Sequence, residues 1–164
     1  MEAIRKMRGF TLIEILVVIG IIAILAAIVI IAINPAKQFA QARNTTRESN
    51  INTILNGVGQ NIADNKGLPL SATTCAGIGT VPGAAALHIG ATAGMVDLTC
   101  LVPTYIPTAI PTDPGSAGTP VVPVGTAADT QYTIAIDAVG RYTICAPGHQ
   151  ENSVPASALY CLTR

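Results

Sequence analysis

An unbroken apolar run dominates the first part of the chain. From Phe10 to Ile33 the sequence holds 24 residues, and Glu14 is the only charged one among them. As an α-helix this run would be about 36 Å long, against a bilayer hydrocarbon core of about 30 Å. The pattern therefore predicts a helix that can span a membrane. A carboxylate at the centre of such a segment costs about 2.5–3.5 kcal/mol on insertion scales, so Glu14 is a candidate functional residue.

The pattern changes at Asn34-Pro35. Proline removes a backbone donor and disfavours helix at the residue before it, so we expect a kink or a locally melted turn. From Ala36 to about Asp64 an amphipathic helix is predicted, and Asn65-Lys66-Gly67 indicates its end. Its apolar residues recur at intervals of three and four, which gives one face to pack on a core: Ile51, Ile54, Leu55, Val58 and Ile62.

The rest of the chain predicts loops and a few short strands. Between Leu68 and Gly94 charge is sparse and no period is sustained, so we expect a long loop with a short helix at Ala84–His88. Met95–Val102 suits either a strand or a short helix. Gly115–Thr130, rich in Gly, Ala, Pro, Thr and Val, is expected to be an exposed loop.

Alternating apolar residues near the carboxyl end predict the clearest strands. Tyr132–Ile136 and Tyr142–Cys145 flank the turn Asp137–Gly140, which is a hairpin pattern. Ala158–Leu162 is a further strand. His149 and Glu151 lie between, but no serine or cysteine nucleophile motif accompanies them, so a catalytic role is disfavoured.

Charge and composition limit the classes of function. The 164 residues have zero formal net charge and a mean hydropathy of +0.52, much of which comes from the apolar run. No polybasic surface for nucleic acid is indicated. Arg5, Lys6 and Arg8 precede the apolar run and place the amino terminus in the cytoplasm by the positive-inside rule.

Four cysteines lie beyond the apolar run: Cys75, Cys100, Cys145 and Cys161. This topology exports all of them, and an even count in an oxidising compartment favours two disulfides. Their spacing does not suit a zinc site. The sequence alone leaves three pairings open.

The start of the apolar run resembles a known processing signal. Arg8-Gly9-Phe10-Thr11-Leu12-Ile13-Glu14, after a short basic leader and before a long apolar helix, looks like the class III signal of type IV pilins and pseudopilins. The resemblance implies that a prepilin peptidase cleaves between Gly9 and Phe10 and N-methylates Phe10. It also implies that Glu14, fifth in the mature chain, neutralises the terminal amine of a neighbouring subunit.

Two other interpretations explain less of the pattern. A secretory signal peptide has an apolar region of about 7–15 residues before a small-residue site, whereas here 19 residues follow Glu14 and the first A-x-A, at residues 40–42, lies beyond polar residues. An ordinary membrane anchor explains the length of the run. Neither accounts for Gly-Phe-Thr-Leu-Ile-Glu.

The resemblance implies an α+β pilin fold, ladle-shaped, in which the outer half of a long amino-terminal helix packs on a small antiparallel sheet. The expected parts are a cleaved leader (1–9), a membrane and filament-core helix (10–33), its amphipathic continuation (34–66) and a globular head (67–164). Without residues 1–9 the chain has six basic and eight acidic side chains. Pilins commonly close a carboxy-terminal loop with a disulfide, which favours Cys145–Cys161 and leaves Cys75 with Cys100.

A second segment is similar to major secretion pseudopilins. Tyr105–Gly115 contains Pro-Thr-Asp-Pro-Gly, although tryptophan, often found after Asp-Pro in those proteins, is absent here. Such pseudopilins bind calcium near this region, so Asp113 and Asp129 are candidate ligands, with Asp137 as a third. Because these carboxylates are dispersed, solvated loop residues are the alternative, and neither a metal nor a cofactor is predicted.

The expected function is that of a structural subunit of a type IV pilus-like filament, not an enzyme. Expected partners are further pilin copies, prepilin peptidase, and an assembly platform with its ATPase. The protein is expected as a single-pass inner-membrane precursor, then in an extracellular pilus or periplasmic pseudopilus. The alternatives are a type II secretion pseudopilin and, from another class, a monomeric membrane-anchored binding or enzymatic domain.

Overall fold

The structure is a computed structural model that describes residues 9–65, 85–116, 122–151, 154 and 158–164. The chain divides into two compact units, residues 1–38 and 39–164.

The first unit contains helix α1, Leu12–Ile33. Thr11 is its N-cap, and the Thr11 hydroxyl accepts a hydrogen bond from the Glu14 backbone N–H at 3.3 Å. Within the described residues, one helical stretch, Leu12–Ile31, is long and apolar enough to cross a membrane, with a mean hydropathy of 3.2. Length and composition alone support this assignment, which agrees with the prediction from the apolar run.

A single residue, Asn34, separates α1 from the next helix. Its φ of 46° is left-handed, a conformation that asparagine tolerates better than most residues. Helix α2 then runs over Pro35–Asp64. The Asn34 side-chain oxygen accepts a hydrogen bond from the Lys37 N–H at 3.3 Å, so the residue that ends α1 also caps α2. The expected interruption is therefore confirmed as a one-residue break.

The second unit contains a four-stranded antiparallel sheet in the order β1-β2-β3-β4. The strands are β1 (Leu87–His88), β2 (Thr133–Ile136), β3 (Tyr142–Ala146) and β4 (Tyr160–Thr163). Two short 3-10 helices cover Thr99–Leu101 and Pro147–His149. The predicted hairpin and returning strand are confirmed as β2, β3 and β4.

The core of this unit forms between one face of α2 and one face of the sheet. Alternate residues of β2 and β3 are buried, which is the period expected of strands with one covered face. Residues from both elements share one buried cluster, which confirms the α+β fold. Its members include Ile51, Ile54, Leu55 and Val58 from α2 and Tyr132, Ile134, Ile136, Tyr142 and Ile144 from the sheet and its flanks.

Two loop predictions were wrong. Leu87–His88 is not helical but forms the edge strand β1, paired with Ile134 and Thr133 of β2. The segment 115–130 is not uniformly exposed, because Gly125 and Thr130 are buried. A Cβ atom on Gly125 would lie 2.5 Å from the Thr130 carbonyl oxygen, so backbone packs on backbone there.

The Cys145–Cys161 disulfide is present and joins β3 to β4. The two residues are directly opposite in the sheet, with Cα atoms 4.1 Å apart. Because Tyr142 and Arg164 exchange both backbone hydrogen bonds, alternation along the ladder places the cysteines at a non-hydrogen-bonded pair, where side chains are closest. Cys75 lies outside the described residues, so its pairing with Cys100 stays a prediction.

Two glycines in α2 provide a matched stability test. Gly59 is exposed and a Cβ there meets nothing within 4 Å, whereas a Cβ on Gly57 would lie 3.0 Å from Ile106 Cγ1. Alanine in a helix interior is favoured over glycine by roughly 0.5–1 kcal/mol. We expect Gly59→Ala to raise the free energy of unfolding by that amount and Gly57→Ala to gain less or to lose stability. Denaturant unfolding of the full chain in detergent measures both, and equal gains would contradict the packing at Gly57.

Candidate assembly site and head ion cluster

The residues at the expected cleavage point are exposed and lie just before α1. Gly9 and Phe10 are not helical, and the Phe10 side chain is 79% exposed. A Cβ atom on Gly9 would meet nothing within 4 Å. Among the described residues, the backbone at this point is therefore exposed.

Glu14 occupies the first turn of α1 and its side chain is exposed. With Thr11 as N-cap, the sequence Thr-Leu-Ile-Glu has the capping-box pattern, and a carboxylate in the first turn also complements the helix dipole. The sequence reasoning missed this pattern, although Thr-x-x-Glu before an apolar run is its usual signal. Glu14 can therefore stabilise the start of its own helix, in addition to the contact with a neighbouring subunit that the resemblance implies.

The surface of α1 is apolar all round. Its large apolar side chains range in exposure from 48% at Val18 to 84% at Ile31. A helix that is apolar on every face is stable in lipid or inside a bundle of helices, not in water. The stem formed by Phe10–Ile33 therefore requires lipid or other helices around it.

The comparison with protein families agrees with this geometry. Residues 4–32 match the family model described as the prokaryotic N-terminal methylation motif. The chain carries a prepilin signal. This class III signal of type IV pilins and pseudopilins confirms the resemblance seen at Arg8–Glu14. Searches of curated proteins and of solved structures gave no match.

The prepilin signal indicates a general class of function. It supports a type IV pilin or pseudopilin and indicates a structural subunit. It implies processing by a prepilin peptidase and assembly with other pilins. The apolar helix that the match includes is typical of pilin membrane anchoring. Because the match covers well under half of the chain, the head has to be interpreted from its own structure.

The head contains a buried ion cluster centred on Arg47, whose side chain is fully buried. Its Nε donates to Asp113 Oδ2 at 2.8 Å and its Nη2 to Asp113 Oδ1 at 3.0 Å, which is a bidentate pair. Its Nη1 donates to Glu151 Oε1 at 2.5 Å and to Asn44 Oδ1 at 2.8 Å. Nη2 also donates to the Gly115 carbonyl at 3.2 Å. All five donors of the guanidinium are thus satisfied.

Glu151 joins this cluster to a second arginine, Arg43, whose Nε donates to Glu151 Oε1 at 2.9 Å. Burial alone raises the pKa of Glu151, but hydrogen bonds from Arg43 and Arg47 lower it by more, so its pKa lies below the ordinary value. For Arg47 the signs are reversed. Burial lowers its pKa, but its hydrogen bonds to Asp113 and Glu151 raise it by more, so its pKa lies above the ordinary value. Both groups therefore stay charged in the folded head.

The cluster leaves no space for a side chain at position 148. A Cβ atom on Gly148 would lie 2.8 Å from Asp113 Oδ2 and 3.2 Å from Arg47 Nε. The glycine after β3 therefore lets the chain cross directly over the Arg47–Asp113 pair, and it brings Glu151 within reach of α2.

The three candidate calcium ligands have other contacts. Asp113 pairs with Arg47, and Asp129 Oδ1 lies 3.1 Å from His88 Nδ1. Asp137 accepts hydrogen bonds from the N–H groups of Val139 and Arg141 in the hairpin turn. In the part of the chain that the structure describes, no group of three or more His, Cys, Asp or Glu residues could hold a metal ion.

His149 also binds α2. Its Nε2 lies 3.1 Å from Glu48 Oε1, its Nδ1 lies 2.8 Å from the Ala158 carbonyl, and its ring stacks on Tyr160. These contacts connect α2 to the segment that leads into β4. The arrangement is that of a structural cross-link.

Sequence reasoning did not single out Arg43, Arg47 or Glu48 of α2. A signal for the cluster was nevertheless available, because Arg47 lies four residues before Ile51 and so continues the apolar stripe of the helix. A charge in such a stripe needs a buried partner. The partner could not be identified from spacing, since Asp113 is 66 residues away.

Removing the charge of Glu151 should change the pH dependence of stability. Because its folded-state pKa is lowered, Glu151 contributes stability fully above its unfolded-state pKa, and this contribution is lost as pH falls through the folded-state value. We expect Glu151→Gln to cost about 1.5–3 kcal/mol at neutral pH, the range for hydrogen bonds to charged groups. The loss should shrink in acid.

Thermal or denaturant unfolding of the full chain between neutral and acidic pH measures this difference. Asp64→Asn is the matched control, because Asp64 is an exposed carboxylate on the same helix. Its Oδ2 accepts a hydrogen bond from the neutral Tyr105 hydroxyl at 2.9 Å, a bond that an asparagine oxygen can also accept. A Glu151→Gln deficit that stays constant with pH would contradict the proposed electrostatic origin.

Proposed function

We propose that this protein is a structural subunit of a type IV pilus-like filament that polymerises through its amino-terminal helix. The observation that carries the proposal is a stem with no polar face, which begins within the prepilin signal matched at residues 4–32. A signal alone would fit any processed membrane protein. A stem suited to both lipid and a helical bundle fits a subunit that moves from one to the other.

Cleavage between Gly9 and Phe10 supplies the charge that Glu14 requires. The cut removes Arg5, Lys6 and Arg8 and creates an ammonium group on Phe10, four residues before Glu14. Opposite unit charges 4 Å apart attract by about 4 kcal/mol at an effective dielectric constant near 20. A neighbour's Phe10 amine therefore offsets the cost of Glu14 in a bundle of stems. Apolar burial supplies the cohesion, and this pair sets the register.

The proposal divides the chain into a leader (1–9), a filament-core helix (10–33), its continuation (34–66) and a head (67–164). The precursor spans the inner membrane once with its amino terminus in the cytoplasm. An assembly platform and its ATPase then move the processed subunit into an extracellular pilus.

A secretion pseudopilin is the second candidate, and one observation favours it. The segment Pro111–Gly115 resembles that of major pseudopilins, and in this head its Asp113 is anchored by Arg47. In that case the filament would stay in the periplasm. Electron microscopy of cells with and without the protein distinguishes the two, because only a pilus extends from the cell surface.

The processing step can be tested by mass spectrometry of the protein from its native membrane. We expect a mature chain that begins at Phe10 and carries one amino-terminal methyl group, because the peptidase acts at the exposed Gly9–Phe10 bond. Co-expression with a catalytically inactive peptidase is the control and should leave the leader attached. An intact leader in cells with active peptidase would refute the proposal and favour a simple membrane anchor.

The two roles of Glu14 can be separated with a pair of variants. Glu14→Gln removes the charge and keeps the Thr11 cap, since that cap uses the Glu14 backbone N–H. Thr11→Ala removes the cap, at a cost of about 1 kcal/mol of helix stability, and keeps the charge. We expect both proteins to be processed, but only Glu14→Gln to lose filament yield. Sheared filaments, quantified against total mature protein, give the readout, and a normal yield from Glu14→Gln would rule out the charge pair.

A further inference from the structure

A groove of about 510 Å³ opens in the head between the end of α2 and the turn of the β2–β3 hairpin. Its floor is apolar and includes Leu55, Val58 and Ile62 of α2. Val139 and Gly140 of the hairpin turn line one wall. Gly59 leaves open space above the helix at this point, since a Cβ there would meet nothing within 4 Å.

Two arginines at the groove already have partners. Arg141 Nε donates to Asp137 Oδ2 at 2.7 Å, and Arg164 donates to the Asn56 side-chain oxygen. Their planar guanidinium groups are therefore positioned by neighbours and available for stacking on an aromatic ring. An apolar floor with guanidinium groups beside it favours an uncharged aromatic side chain as the occupant.

Phe39 supplies a side chain of that kind. It lies near the start of α2 and is 65% exposed, and it is the aromatic member of the exposed large apolar residues described in the second unit. Aromatic side chains with this exposure are frequent anchors of protein interfaces. Phe39 follows the apolar stem along the chain, six residues after Ile33, so it is close in sequence to the segment that the proposed function assigns to subunit contact.

Phe39 cannot reach the groove of its own chain. It precedes Gly59 by 20 residues on the same continuous helix, which corresponds to about 30 Å. The two features can meet only between two copies. We propose that Phe39 of one copy inserts into the groove of a second copy.

This contact has the symmetry that a filament requires. Because the inserted residue and the groove are different surfaces, the contact is heterologous: the copy that inserts Phe39 still has a free groove, and the copy that receives it still has a free Phe39. Repetition gives an open helical array if the rotation does not close. With parallel α2 helices, contacting copies would be offset by about 30 Å along the helix axis. The inference rests on the proposed function, which it extends from the stem to the head.

Paired cysteine variants test the contact directly. Phe39→Cys and Gly59→Cys are expressed together in the same cells as tagged full-length chains, and membranes and sheared filaments are treated with a mild thiol oxidant. We expect a dimer that contains one chain of each kind. Phe39→Cys with Thr46→Cys is the matched control, since Thr46 is exposed on α2 away from the groove. Either variant expressed alone should give no dimer, because the contact is heterologous.

Phe39→Ala provides a second, independent measurement. We expect filament yield to fall by about tenfold or more, the loss typical of an interface anchor. Processing at Gly9 and the denaturant midpoint of the head should stay unchanged, and Phe39→Tyr should retain most of the yield.

The outcomes separate this contact from the function on which it rests. Normal processing with full filament yield from Phe39→Ala and no mixed dimer would overturn the contact and leave the filament subunit intact. A mixed dimer without cleavage at Gly9 would support the contact and refute the prepilin function. Cross-linking of Phe39→Cys to a different protein, with none to a second copy, would also overturn the contact.

Discussion

The buried guanidinium of Arg47 constrains most of the head. An arginine removed from water is stable only when its charge and all five donors are satisfied, and here the acceptors come from α2, from the Asp113–Gly115 segment and from the segment after β3. Three parts of the chain that are distant in sequence must therefore meet at one place. The proline-rich segment around Asp113 forms no strand, and its hydrogen bonds to Arg47 hold it in place.

The two units satisfy their apolar surfaces in different ways. The head buries one stripe of α2 against its own sheet, within a single chain. The stem has apolar residues on every side and can bury them only against lipid or other helices. In the proposed filament, folding of the head and packing of the stems are thus driven by the same physical effect, the burial of apolar surface.

Periodicity explains which parts of the structure the sequence predicted. The stem, the stripe Ile51–Val58 and the β2–β3 hairpin each repeat an apolar position along a local segment, so their structure could be read directly. Strand β1 could not be predicted in this way, because two residues carry no period and become a strand only by pairing with β2. Asp113 was expected to be a solvated loop residue or a calcium ligand, since its burial depends on Arg47 in a distant helix. The Thr11 cap could have been predicted from Thr-x-x-Glu.

The position of the Cys145–Cys161 bond affects how the protein can vary. The bond joins residues that are already opposite in the sheet, so it fixes the β3–β4 register without help from the intervening chain. His149 and Glu151 tie the first part of that chain to α2. The β3–β4 register therefore does not depend on the sequence between Glu151 and Ala158, and substitutions in that interval are expected to leave the strand pairing unchanged.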